Sequence, residues 1–151
     1  MHKNKRMFEI ITSSTYAVPM LLLLYASSIL FMISTLVSWS LGVYFIFNIT
    51  TFSFIPVLIP GINILYGALF IAFSFYLFSV SVKLFSFSKS MVMQFFVKKN
   101  LRIGHYVLKG IYTKLFNISL IITFILLILS FIISVIVTGE WEFWHYWQWF
   151  D

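Results

Sequence analysis

After Glu9 the chain carries no formal charge until Lys83, and after Lys114 none until Glu140. Uncharged tracts of that length constrain the fold more than any other feature, because hydrocarbon is the solvent that tolerates them. Composition points the same way: 62% of residues are hydrophobic and 9% charged, where soluble domains hold about half and a quarter. A soluble domain is excluded, and an all-α integral membrane protein is expected.

Three segments have the length to cross. Residues 18–38 would form a helix of about 31 Å at 1.5 Å per residue, against a hydrocarbon core of about 30 Å. Residues 62–82 follow Pro60 and Gly61 and stop at Lys83, and residues 118–138 stop at Gly139. Lys3, Lys5 and Arg6 precede the first of these in the order of a signal peptide. The apolar run is too long for one, however, and no small-x-small site follows it, so an uncleaved first span is expected.

Residues 39–59 read differently. Tyr44, Phe45, Ile46, Phe47, Ile49, Thr50, Thr51, Phe52 and Phe54 favour extended structure, while Asn48 and Pro56 interrupt a helix. Charge arbitrates. Three of the ten basic residues lie at the amino terminus and seven between Lys83 and Lys114, with no acid among those seven. Both groups belong on the cytoplasmic side, so an even number of crossings separates them. Residues 39–59 are accordingly expected to leave and return on the outer side, as a re-entrant or interfacial excursion. The alternative, four transmembrane helices, would place seven positive charges outside.

Tryptophan prefers the headgroup region, and Trp39, Trp141, Trp144, Trp147 and Trp149 all fall at expected outer ends. The tail 140–151 also holds Glu140, Glu142 and Asp151 without Lys or Arg. A cytoplasmic amino terminus and an outer carboxy terminus follow, in one polytopic domain over 1–151.

The basic connection 83–114 has no helix breaker over 86–100, then a turn near Asn100 and Gly104. Spans two and three are therefore expected to be prolonged as a cytoplasmic helical hairpin with its tip near Leu101. Lys83, Lys89, Lys98, Lys99, Arg102, Lys109 and Lys114 supply its charge, and Met91 and Phe95 an apolar face. That combination suits anionic lipid on the cytoplasmic side or an acidic cytosolic protein. No RNA or DNA motif accompanies it, so headgroup contact is preferred over nucleic acid.

Small and hydroxyl residues recur at helical spacing within the spans: Ser27, Ser34 and Ser38, then Ala68, Ala72 and Ser79, then Ser119, Thr123, Ser130 and Ser134. Helices in lipid associate through such residues, either inside one chain or between copies. No Asp, Glu, Lys, Arg or His stands between residues 10 and 82, which argues against proton or ion translocation. Zero cysteines remove thiolate chemistry. Glu142 and His145 have the spacing of half a di-iron site, but the further carboxylates and second pair are lacking. No catalytic residue, cofactor or metal is expected.

The leading expectation is a non-catalytic membrane subunit or scaffold that packs with other membrane subunits. Its hairpin would recruit a cytosolic partner or anionic lipid. The second is a homo-oligomeric membrane sensor or pore, such as a stress or phage-defence effector.

Overall fold

The computed structural model describes residues 2–49, 61–97 and 111–143, with side chains over 18–49, 61–92 and 111–143. Three helices account for nearly all of them: α1 (His2–Ile46), α2 (Ile62–Val97) and α3 (Ile111–Thr138). Each contains a stretch long and apolar enough to cross a membrane, Val18–Ile46, Ile62–Val92 and Ile111–Thr138. The protein is thus all-α and its helices suit an integral membrane protein.

The helices form a single layer. Both α1 and α3 pack against α2 and, among the described residues, not against each other. Neighbours run antiparallel, since Ser28 meets Ser81 while Ser38 meets Phe70 along the α1–α2 seam. Along α2 and α3, Lys83 meets Phe116 while Tyr66 meets Ser134. One end of the layer therefore gathers the amino-terminal half of α1, the end of α2 and the start of α3. The other gathers Phe47 to Ile49, the start of α2 and the residues after α3.

Burial is inverted relative to a soluble core. Ser79, Ser88, Ser90, Ser130 and Ser134 are the most completely buried side chains, while Leu23 is 71% exposed and Phe124 63%. Leucine and lipid tails are equally apolar, so burying Leu gains little in a bilayer; close backbone approach and interhelical hydrogen bonds are what hold helices together there. Most buried hydroxyls donate back to their own helix, as Ser79 does to the Phe75 carbonyl at 2.9 Å and Ser130 to the Leu126 carbonyl at 2.6 Å. They are satisfied without a partner helix and present only a small surface to it.

The α1–α2 seam is the closest contact. The Ser28 hydroxyl donates to the Ser81 carbonyl and the Ser81 hydroxyl to the Ser28 carbonyl, both at 2.9 Å, and the Ser38 hydroxyl donates to the Phe70 carbonyl at 2.8 Å. Further along, Gly42 and Gly67 face each other. A Cβ on Gly42 would lie 2.9 Å from the Gly67 carbonyl oxygen, and one on Gly67 2.8 Å from that of Gly42. Small residues recur every seven positions on both sides, Ser28, Thr35 and Gly42 against Gly67, Ser74, Ser81 and Ser88. A strict seven-residue repeat keeps one stripe facing its neighbour along a left-handed supercoil.

This seam corrects the sequence expectation for residues 39–46, which continue α1 rather than entering an extended or re-entrant excursion. Strand preference is context-dependent, and here Tyr44 and Phe45 are buried with Leu41, Tyr66 and Phe70 around them. Phe45 stacks on Phe70 at 5.6 Å. A helix also satisfies every backbone group internally, as the membrane requires. Asn48 does end the helix: its φ is +49°, its N–H donates to the Phe45 carbonyl and that of Ile49 to the Tyr44 carbonyl. These are the two bonds of a Schellman cap. Asn63, in the first turn of α2, donates its amide to Asn48 Oδ1 at 2.9 Å and ties the two helix ends together. Residues 50–60 lie outside the described residues.

The other two helices run beyond the expected spans 62–82 and 118–138. Helix α2 continues past Val82 to Val97, and α3 begins at Ile111 rather than 118. Gly139, with φ of +73°, closes α3 where the sequence places its end. The chain then turns back so that Phe143 is buried edge-on against Phe131, with Trp141 beside the same ring.

Candidate functional site at the basic end of the layer

The antiparallel arrangement brings Lys83 and Lys89 of α2 to the same end as Lys114 of α3. Lys89 and Lys114 are exposed and Lys83 is half-buried. The Lys83 ammonium rests 3.5 Å from the centre of the Phe116 ring, and Tyr76 packs on that ring at 5.3 Å. Side chains of a helix lean toward its amino terminus, so Lys83 reaches back along α2 onto Phe116. The ring quadrupole then holds a cation that water only partly covers. The described acidic side chains, Glu140 and Glu142, follow α3 at the opposite end.

Met91 is half-buried on α2. The side chain of Phe95, and the whole of Lys98, Lys99, Arg102 and Lys109, lie outside the described residues, as does the expected hairpin tip.

Of the residues singled out for helix packing, Ser119, Ser130 and Ser134 are buried on α3, and Ser134 meets the Tyr66 hydroxyl at 3.3 Å. Thr123 is half-buried and donates to the Ser119 carbonyl at 2.7 Å. Ala68 and Ala72 are half-buried and line, with Ser119, a groove of about 380 Å³ between α2 and α3. Ile46 at the end of α1 also borders it, beside Ala68 and Ile71 of α2. Leu115, Ile122 and Leu126 form its α3 wall, and Leu115 stands between Lys114 and Phe116 in the chain.

Trp39 is exposed but does not close a span as expected, since α1 continues seven residues beyond it to Ile46; Trp141 is exposed after α3, while Trp144, Trp147 and Trp149 lie outside the described residues. So does His145, the partner of Glu142 in the half-site pattern. Among the described residues no group of three or more His, Cys, Asp or Glu side chains could hold a metal.

No known protein family, curated protein or solved structure matches the chain. The candidate site therefore stands on its own geometry.

Gly42, Gly67, Ser28 and Ser81, which make the closest contacts, were not singled out from the sequence. The seven-residue spacing of Gly67, Ser74, Ser81 and Ser88 was the available signal. It differs from the four-residue spacing of Ala68 and Ala72, which turn out to face the groove.

Proposed function

We propose that the chain is a non-catalytic membrane subunit or scaffold whose basic end, residues 83–114, recruits a cytosolic partner of acidic character. The observation that carries this reading is the segregation of charge along the helix layer. Lys83, Lys89 and Lys114 share an end with the amino-terminal half of α1, while Glu140 and Glu142 stand at the other. Four further basic residues, Lys98, Lys99, Arg102 and Lys109, belong to the chain between α2 and α3. The positive-inside rule makes that end cytoplasmic and the aromatic, acidic tail external. Helix α2 reaches Val97, which supports a basic connection carried beyond the headgroups as a helical hairpin. The buried serines of α3 are used within one chain, which favours a scaffold over a pore lined by that stripe between copies.

Seven basic residues without an acid exceed what orientation requires, and the Met91 and Phe95 face supplies an apolar contact beside them. Long-range attraction alone is salt-sensitive and indiscriminate, whereas fixed charges next to an apolar face discriminate between partners. Replacing Lys98, Lys99 and Arg102 together by Glu is expected to release a co-purifying cytosolic protein while the chain still inserts. Co-purification at matched expression, with orientation verified, measures this. Retention of the same partners in the same proportion would sink the docking proposal.

Orientation is tested separately with single cysteines at positions 4, 100 and 148, since the chain has no native thiol. Only position 148 is expected to react with an impermeant reagent added to intact cells. Labelling of position 100 from outside would reverse the assignment.

A further inference from the structure

We propose that the groove between α2 and α3 is a binding site for one anionic glycerophospholipid, with an acyl chain along the groove and the headgroup at Lys83 and Lys114. The inference rests on the basic end facing an anionic leaflet, and it adds a defined site to that reading.

The groove's lining is apolar along its length. Ala68, Ala72 and Phe75 form the α2 wall, Leu115 and Ile122 stand on α3, and Ile46 borders it from α1. Ser119 is the one hydroxyl in the lining, and it donates to the Phe116 carbonyl at 3.1 Å. Water in a cavity needs two to four polar partners, and this lining does not offer them. Hydrocarbon is the occupant that suits such walls at this depth.

Length and charge specify which hydrocarbon. From Leu115 to Leu126 the α3 wall of the groove rises about 16 Å, and one leaflet contributes about half of a 30 Å hydrocarbon core. The groove thus matches a single acyl chain running from the headgroup boundary toward the bilayer centre. At the headgroup end Lys114 directly precedes Leu115 of the lining, and the Lys83 ammonium rests on Phe116, the next residue along. The ring faces one side of that ammonium and leaves the remaining N–H groups for a phosphodiester. With the described carboxylates at the far end of the layer, an anionic headgroup is the complement this end calls for. A zwitterionic lipid would bring its own cation toward the lysines.

The test uses the full chain in mild detergent, delipidated and then titrated with phosphatidylglycerol or with phosphatidylcholine of identical chains. Retained lipid is counted by intact-mass measurement of the complex. The wild-type chain is expected to retain one phosphatidylglycerol at least fivefold more strongly than phosphatidylcholine. One lysine at an anionic surface is worth about 1 kcal/mol, which is about that factor. Lys83→Gln with Lys114→Gln should remove the preference. Ala72→Phe and, separately, Ile122→Trp should fill the groove and cost most of the retention of both lipids, while Leu23→Phe on the far face of α1 changes neither. Helix content and a monodisperse elution are checked for each variant. Ile122 is 44% exposed, so its enlargement remains informative if Ala72→Phe fails to fold.

Equal retention of the two lipids, unchanged retention in a folded groove-filling variant, or a paired copy that excludes lipid would each overturn the site. Partner capture separates this result from the scaffold reading. If capture still depends on Lys98, Lys99 and Arg102 while lipid retention ignores the groove, only the lipid site falls. If capture ignores those charges, the docking proposal falls and the lipid titration stands by itself.

Discussion

Replacing Gly42 by Ala should destabilise the protein, although the same change in an unpacked helix stabilises it by about 0.5–1 kcal/mol. The reversal of sign is the test of the α1–α2 contact. A Cβ at Gly42 would lie 2.6 Å from Ile71 Cγ1, 2.9 Å from the Gly67 carbonyl oxygen and 3.1 Å from the Ile71 amide nitrogen. The first of these can move by a rotamer change, but the other two belong to the backbone of α2. Relief therefore requires the helices to separate, which weakens the Ser28–Ser81 and Ser38–Phe70 hydrogen bonds along the same seam. Overpacking costs about 1–3 kcal/mol at ordinary core sites; Gly42→Leu should exceed the upper end of that range and abolish the folded form. Gly67→Ala should behave as Gly42→Ala does, since its Cβ meets the Gly42 carbonyl and the Ile46 amide nitrogen at 2.8 and 3.0 Å. Unfolding in mixed micelles with a rising fraction of denaturing detergent gives the comparison. A stabilised Gly42→Ala would mean that the two helices do not approach this closely.

Enlarging Ser130 or Ser134 to Leu should cost about 1–3 kcal/mol each, while Leu127→Ala, at a position 52% exposed, should change stability by less than about 0.5 kcal/mol. The ordering is opposite to that of a soluble protein, where the lost leucine would cost most. Both serines are 1% exposed, so a branched side chain has no volume to enter without displacing α2. Ser134→Leu also removes the hydroxyl at 3.3 Å from that of Tyr66. Membrane hydrogen bonds of this kind average about 0.6 kcal/mol, so the steric term dominates. Shortening the opposing side chain in the double variant Ser134→Leu, Tyr66→Ala should recover part of the loss, because contacting positions are non-additive. Normal accumulation and stability of both leucine variants would place the serine stripe against lipid and remove the α2–α3 packing described above.

The two effects share a cause. With apolar side chains already solvated by lipid tails, the fold depends on how closely backbones approach, and residue size replaces hydrophobicity as the quantity under constraint. The groove marks where that rule lapses: Ala68 and Ala72 are small yet face a gap.

By itself the sequence determined the membrane class, the three helices long and apolar enough to cross, and the residue at which the last of them stops. The uncharged tracts after Glu9 and after Lys114 required hydrocarbon around them. Gly139 ended α3 through the left-handed backbone conformation observed there. These features are local or compositional, so no knowledge of neighbours was needed. Tertiary structure alone decided which small residues matter and where α1 continues. Tyr44 and Phe45 carry a strand preference that packing against Tyr66 and Phe70 overrides. Ser28 and Ser81 acquire partners only because antiparallel helices bring residues far apart in the chain to one level. Helix periodicity could identify a face but not its occupant; the antiparallel register between α1, α2 and α3 assigned Gly42 to Gly67, Ser134 to Tyr66 and Ala72 to an open groove.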